Sequence, residues 1–168
     1  MKKGGIYYGK TVFTVTKWNS AMYCEALTLR NKELKASSGK KFLLRAPRDE
    51  RKDLHLVVKQ EDQVIGTLLL HPISAECVQI KQVAVDSHHQ GEGLGKNLLI
   101  YAEQVARRVG FCLVFLTGRE QAWGFYEKLG YQSISEEYAE GQLTMRIYKK
   151  DIQSQLEQVE KREMKTNG

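Results

Sequence analysis

Residues 82–96, Gln-Val-Ala-Val-Asp-Ser-His-His-Gln-Gly-Glu-Gly-Leu-Gly-Lys, constrain this chain more than any other stretch. An apolar, β-branched run stops at Asp86, a short polar turn follows, and glycines at 91, 93 and 95 open a helical pattern. Glycine adopts dihedrals that a Cβ forbids and lets the main chain come close to a ligand. A helix start leaves N–H groups unpaired and carries the positive end of the helix dipole. The stretch therefore predicts an α/β protein with an anion site at the turn, and a phosphate group is the guest that such a site suits.

The segments on either side supply partners for this strand and helix. Thr11 to Thr16 alternates β-branched residues and predicts a first strand. From Ser20 to Lys35 the pattern turns helical, with Asn19 or Ser20 as cap, Met22, Ala26, Leu29 and Leu34 at helical spacing, and Ser-Ser-Gly at 37–39 as the stop. Lys40 to Asp53 is charged, contains Pro47 and reads mostly as loop, with room for one short helical turn. Leu54 to Lys59 and Gln63 to His71 flank the polar tripeptide Gln60-Glu61-Asp62 and are expected to form an antiparallel hairpin, with Gly66 marking a bulge or a close backbone approach. Cys77 to Val85 reads as the third strand of this meander, its alternation slipping at Lys81-Gln82-Val83 as at a bulge.

Leu94 to Val109 carries Leu98, Leu99, Tyr101, Ala102, Val105 and Ala106 on one broad face and meets Gly110 at the C-cap position. Phe111 to Thr117, nearly all apolar, suits a strand buried on both faces. Strand, helix and strand in this order predict a right-handed parallel crossover. Arg119 to Leu129 is expected to be a second helix, Tyr131 to Ser135 to begin a further strand, and Leu143 to Lys149 to close the sheet, with Met145 and Ile147 on one face and Arg146 and Tyr148 on the other.

Length and charge narrow the class. A chain of 168 residues fits one domain, here 1–149, with a charged tail or helix at 150–168. In that segment Ile152, Leu156 and Val159 recur at helical spacing, which suits a dimerising helix as well as a frayed tail and leaves a homodimer open. The formal charge of +6 admits a polyanionic partner, nucleic acid or a phosphorylated cofactor, but an excess spread along the chain reads more plainly as a solvated surface. No basic stripe interleaves with aromatics, which counts against nucleic acid. Cys24, Cys77 and Cys112 are odd in number and far apart, so neither a disulfide framework nor a metal site is expected. The N-terminal residues lack a signal-like apolar region, and no run approaches the ~20 apolar residues of a membrane span. The expectation is a cytoplasmic protein with no membrane partner.

Spacing separates the glycine turn from commoner phosphate loops. Where a P-loop needs its first glycine the chain has Gln90, and Asn97 follows Lys96 where a Ser or Thr is needed. The third glycine comes one residue too early for a dinucleotide fingerprint, and the turn follows a meander where that fingerprint opens a parallel sheet. Gln90-Gly-Glu-Gly-Leu-Gly95 instead resembles the pyrophosphate loop of the GNAT superfamily of acetyltransferases, through Gln90, Gly93 and Gly95. Gln82 to Val85 is similar to that family's strand before the loop. Ala122 and Phe125-Tyr-Glu-Lys-Leu-Gly-Tyr131 resemble its second hallmark, a helix after the next strand. The likeness covers Leu54 to Tyr148 well and the N-terminal third loosely.

The resemblance implies an acyl-CoA acyltransferase fold: a mixed, mostly antiparallel sheet flanked by helices, whose central parallel strands, here Gln79 to Val85 and Phe111 to Thr117, splay apart. It implies acetyl-CoA as co-substrate, with its pyrophosphate on the backbone N–H groups of Gln90, Gly91, Glu92, Gly93, Leu94, Gly95 and Lys96. The pantetheine arm would lie along the backbone of Val83, Ala84 and Val85, and a backbone N–H near Val83 would donate to the developing oxyanion. Arg119 stands where many members have an asparagine, and would meet the cofactor or an acidic substrate. Tyr126 matches the family's tyrosine near the cofactor sulfur and is implied as the acid for the leaving thiolate; a phenol with a reference pKa of about 10 still carries its proton at neutral pH. The base is not fixed, His71, Glu76 and Glu137 being the candidates near strand ends. The implied activity is acetyl transfer to a primary amine of a small molecule or peptide. A non-catalytic acyl-CoA-binding regulatory module is the alternative, and it would have no use for the acid.

Overall fold

The computed structural model describes residues 5–8, 10–153 and 162–167. Its strands are β1 (Ile6–Tyr8), β2 (Thr11–Thr16), β3 (Leu54–Gln60), β4 (Gln63–Pro72), β5 (Cys77–Val85), β6 (Leu113–Arg119), β7 (Gln132–Ser133), β8 (Tyr138–Glu140) and β9 (Leu143–Asp151). One sheet holds them in the order β1-β2-β3-β4-β5-β6-β9-β7, with β8 also paired to β9. Every neighbouring pair is antiparallel except β5 and β6, which run parallel. The mixed sheet with a parallel central pair agrees with the expectation.

Three consecutive helical pieces follow β2, and the expected short helical turn, a 3-10 turn at Arg48–Glu50, precedes β3. Ser20 caps α1 (Ala21–Arg30) by accepting the Tyr23 N–H at 3.2 Å. A π-helical segment (Asn31–Lys35) and α2 (Ala36–Ser38) continue it, and the chain leaves at Gly39 in the left-handed region, φ 69°. Between β5 and β6 runs α3 (Leu94–Val109), closed by Gly110 at φ 112°. Beyond β6 a 3-10 turn (Glu120–Ala122) leads into α4 (Trp123–Lys128).

The two sheet faces divide the apolar residues. Leu98, Leu99, Ala102 and Ala106 of α3 are buried against Leu56, Val58, Leu70, Val78 and Val114. On the other face Ala26 and Leu29 of α1 pack on Val57, Val64 and Ala84. Each fully buried leucine contributes ~1.5–3 kcal/mol of transfer free energy, so these layers fix where β5 and β6 lie. Two predicted irregularities are present. Val58 pairs with Gly66 and Lys59 with Val64, leaving Ile65 as the bulged residue, and a Cβ on Gly66 would come within 3.3 Å of Val58 Cγ2. In β5 the register jumps between Thr67↔Ala84 and Leu69↔Lys81, and Gln82 takes φ 57°.

Other expectations need correction. The strand read as Phe111 to Thr117 starts two residues later and is not buried on both faces: Val114 and Leu116 are buried, Leu113 and Phe115 half-buried, Thr117 exposed. Only the face toward α3 and α4 is fully covered. The helix read as one piece from Arg119 begins at Glu120 as 3-10 and is α-helical for six residues. Tyr148 is fully buried beside the Tyr126 ring, centroids 6.1 Å apart, because α4 covers that face of β9. β1 and β8, three residues each, were not anticipated. Lys150 and Asp151 belong to β9 and Ile152 is buried in the main core, whereas Leu156 and Val159 lie outside the described residues. Among the described residues no helix is long and apolar enough to cross a membrane.

Candidate active site

The parallel ladder between β5 and β6 is short. It comprises Cys77↔Leu113, Val78↔Val114 and Gln79↔Phe115, and from Ile80 and Leu116 onward the strands diverge. The bulge at Gln82 turns β5 away from its neighbour. Backbone groups on the facing edges then lack a strand partner, a condition that a sheet leaves only where something else can hydrogen-bond them. Between the parted strands lies a cavity of ≈ 980 Å³.

The end of β5 is held firmly. Asp86 accepts the His88 N–H at 2.9 Å and the Lys32 ammonium at 3.1 Å, and Glu33 accepts the Ser87 N–H at 3.1 Å. The His88 N–H and the Lys32 ammonium outweigh burial and hold the Asp86 carboxyl below its ordinary value. These contacts tie the π-helical segment to the glycine turn. Gly91 and Gly93 occupy φ 84° and 77°, and a Cβ on either would meet nothing within 4 Å. Gly93 caps α3 without any side-chain hydrogen bond, and the first helical rung runs from the Asn97 N–H to the Gly93 carbonyl at 3.0 Å. The N–H groups of the first turn are thus left for an external acceptor beside the cavity, as an anion cradle requires.

Val83, Val85, Gln90, Gly91, Gly93, Leu94, Gly95, Lys96, Arg119 and Tyr126 all line the cavity. Two predicted cofactor contacts are placed differently. The Ala84 side chain is buried beneath α1, leaving only its backbone for a ligand, and Glu92 meets His89, Oε2 to Nδ1 3.2 Å, outside the lining. Tyr126 is 8% exposed and ringed by Phe125, Tyr131 and Tyr148 at centroid distances of 5.3, 6.0 and 6.1 Å. Gly118 makes room for it: a Cβ there would sit 3.1 Å from the ring. Burial pushes the Tyr126 phenol up to about 12, the charge of Arg119 pulling weakly the other way.

The three candidate bases lie elsewhere. His71 Nδ1 is 2.7 Å from Asp53 beside a separate cavity, Glu137 pairs with Arg146 at 2.9 Å, and Glu76 is exposed just before β5. None lines the main cavity. In their place Lys35, Ser38 and Lys40 come from the N-terminal wall, and Tyr138, Glu140 and Leu143 from the β8–β9 hairpin. Sequence reasoning missed these six, and they share no motif; the π-helical segment and the hairpin turn bring them to one place. No group of three metal-ligating side chains occurs among the described residues.

The sequence matches the model of the acetyltransferase (GNAT) family over residues 20–131, and the chain belongs to that family. It is similar to YyaT, an uncharacterized protein of Bacillus subtilis, being 31% identical over 98 residues, which are 58% of this chain and 66% of that protein. The chain spans 66% or less of the length of the curated relatives it matches. Among solved structures, a candidate N-acetyltransferase of Lactobacillus plantarum aligns with TM-score 0.75 and 24% identity over 84% of this chain and 99% of that one. A GNAT acetyltransferase of Elizabethkingia anophelis with acetyl-CoA bound aligns with TM-score 0.63 and 16% identity over 86% and 99%. At these identities the structures establish the shared fold.

Proposed function

We propose that this protein moves the acetyl group of acetyl-CoA to a primary amine in the cytoplasm. The observation that carries the reading is the parting of β5 and β6 beyond Gln79 and Phe115, with the uncapped start of α3 at one end of the gap and Tyr126 within it. The residues present fit the cofactor. Backbone N–H groups of the turn at Gln90 to Lys96 suit a pyrophosphate, Lys96 adds charge, and the unpaired edge of β5 at Val83 and Val85 suits an amide-bearing arm. Acetyl-CoA, when bound, supplies an activated carbonyl and a thiolate leaving group. Tyr126 keeps its proton well above neutral pH and presents it as the acid. A backbone N–H of the β5 bulge serves as oxyanion donor, and Glu140, the single carboxylate among the described lining residues, receives the amine's proton.

The family membership and the acetyl-CoA-bound fold relative support the cofactor. The presence of Tyr126 favours an enzyme over a regulatory module that merely binds acyl-CoA. Acetyl-CoA should raise the melting temperature, and Gly93→Glu should abolish that rise by placing a charged side chain at the anion cradle. No rise at saturating acetyl-CoA would refute the cofactor reading; a rise without free-thiol release on any amine would favour the binding module.

A further inference from the structure

The cavity is lopsided in charge. Lys35, Lys40, Lys81, Lys96 and Arg119 line it against the single carboxylate Glu140. Among the described residues none of these five cations stands in an ion pair. Lys96 lies in the first turn of α3, beside the turn assigned to the pyrophosphate. Lys35 and Lys40 come from the end of the π-helical segment and from just past Gly39. Arg119 is the last residue of β6. Burial and the charges of Lys40, Arg30 and Arg119 hold the Lys35 ammonium below its ordinary value, and Arg119 is the charge felt at the Tyr126 phenol. Lys35, Lys40 and Arg119 therefore share one cavity with Tyr126 and Glu140.

Burial is the larger influence on Lys35, and the neighbouring cations add to it. Like charges held together cost free energy that grows as water is excluded, and Lys35 and Arg119 are only partly exposed. An anion bound among them removes that cost and gains charge-assisted hydrogen bonds. Building on the acetyltransferase reading, we propose that the acceptor is a small anionic amine, its carboxylate or phosphate held by Lys35, Lys40 and Arg119 and its amino group directed to Glu140 and Tyr126. Polyamines and other polycationic amines are then poor acceptors, because their remaining charges face the same three cations.

The test is equilibrium titration of the CoA-saturated protein with four probes: phosphoethanolamine, β-alanine, β-alaninamide and spermidine. Phosphoethanolamine or β-alanine should bind about tenfold or more tighter than β-alaninamide, the tighter of the two identifying phosphate or carboxylate as the anion, and spermidine should bind weakest. Lys35→Gln should reduce the anionic-to-neutral ratio about tenfold with CoA affinity retained, and Lys35→Arg should restore it. Spermidine or β-alaninamide binding as tightly as both anionic probes, no measurable binding of either anionic probe, or Lys35→Gln weakening CoA and every amine alike would overturn the proposal. The titration repeated without CoA still reads the anion preference, so failure of acetyl-CoA to bind would sink the cofactor reading alone.

Discussion

Arg30 is 4% exposed, and its guanidinium makes two 2.8 Å hydrogen bonds to the Glu50 carboxylate. The Tyr23 hydroxyl donates to the same carboxylate at 2.9 Å, and His55 Nε2, which must carry the proton, donates to the Glu50 carbonyl at 2.8 Å. Burial alone would raise the Glu50 carboxyl, but the Arg30 contacts outweigh it and hold it below its usual range. Burial holds the His55 imidazole below its ordinary value and disfavours its charged form in the folded state. Both groups make the unfolded chain bind more protons as pH falls, which means stability is lost in that direction. The denaturation midpoint should fall in two stages, a first below about pH 6.5 as unfolded His55 charges and a second below about 4.5 as Glu50 takes up its proton. Glu50→Gln should shrink the second stage, leaving the part due to Asp86, and destabilise at neutral pH by about 3 kcal/mol or more, since Arg30, whose Nε already lacks a partner, would be left buried and uncompensated. A midpoint flat from pH 8 to 4 would show the network to be energetically silent. At the site, Tyr126→Phe keeps the ring packing against Phe125 and Tyr131 and removes only the acid. It should leave the acetyl-CoA melting shift intact and lower kcat by about 100-fold or more, and normal turnover would remove Tyr126 from catalysis.

The β3–β4 hairpin carries a cost at the element scale. Glu61 and Asp62 form its two-residue turn at φ 50° and 62°, the left-handed pair that glycine and asparagine tolerate best. Their contacts with Lys10 and Lys59 at 3.6 and 3.7 Å are too exposed to offset that strain. Glu61→Asn with Asp62→Gly should therefore stabilise by about 1 kcal/mol in chemical denaturation; a neutral or negative change would mean the turn is relaxed as it stands. Elements with strong local signals were legible in the sequence. α3 was bounded correctly because its apolar face repeats and Gly110 takes the left-handed C-cap that ends it. The bulge at Gln82 was legible as a slip in alternation. β6 was misread because apolar content cannot distinguish a strand covered twice from one covered once and facing a cavity. β8 is three residues long and owes its existence to pairing with β9, a long-range contact with no local pattern. The same reason hid Lys35 and Glu140, which are ordinary surface residue types until the fold sets them on one cavity. The shape of the turn from Gln90 to Lys96 was legible because it is built locally, from glycine dihedrals and a helix start.

At the scale of the whole molecule the sheet is two halves joined by a narrow seam. β1 to β5, with α1 and α3, form one half; β6 to β9, with α4, form the other, and the direct ladder between them is three residue pairs long. Below that seam the continuity of the core comes from side chains, α3 reaching both Val78 and Val114. Above it the edges of Ile80–Val85 and Leu116–Arg119 face the cavity without a strand between them. Amides on such edges exchange with solvent through local motions that leave the rest of the fold intact. A peptide-like arm lying in the gap would hydrogen-bond the β5 edge, exclude water from both sides and couple the halves. Hydrogen exchange should therefore slow in Ile80–Val85 and in Leu116–Arg119 on adding acetyl-CoA, as well as in the first turn of α3, while β2 and β3, remote from the gap, stay unchanged. Protection confined to the α3 start would mean that only the phosphates are gripped and the arm lies outside the sheet. Protection on both sides would show that the parting of β5 and β6, which leaves the apo sheet weakest at its centre, is where the cofactor restores its continuity.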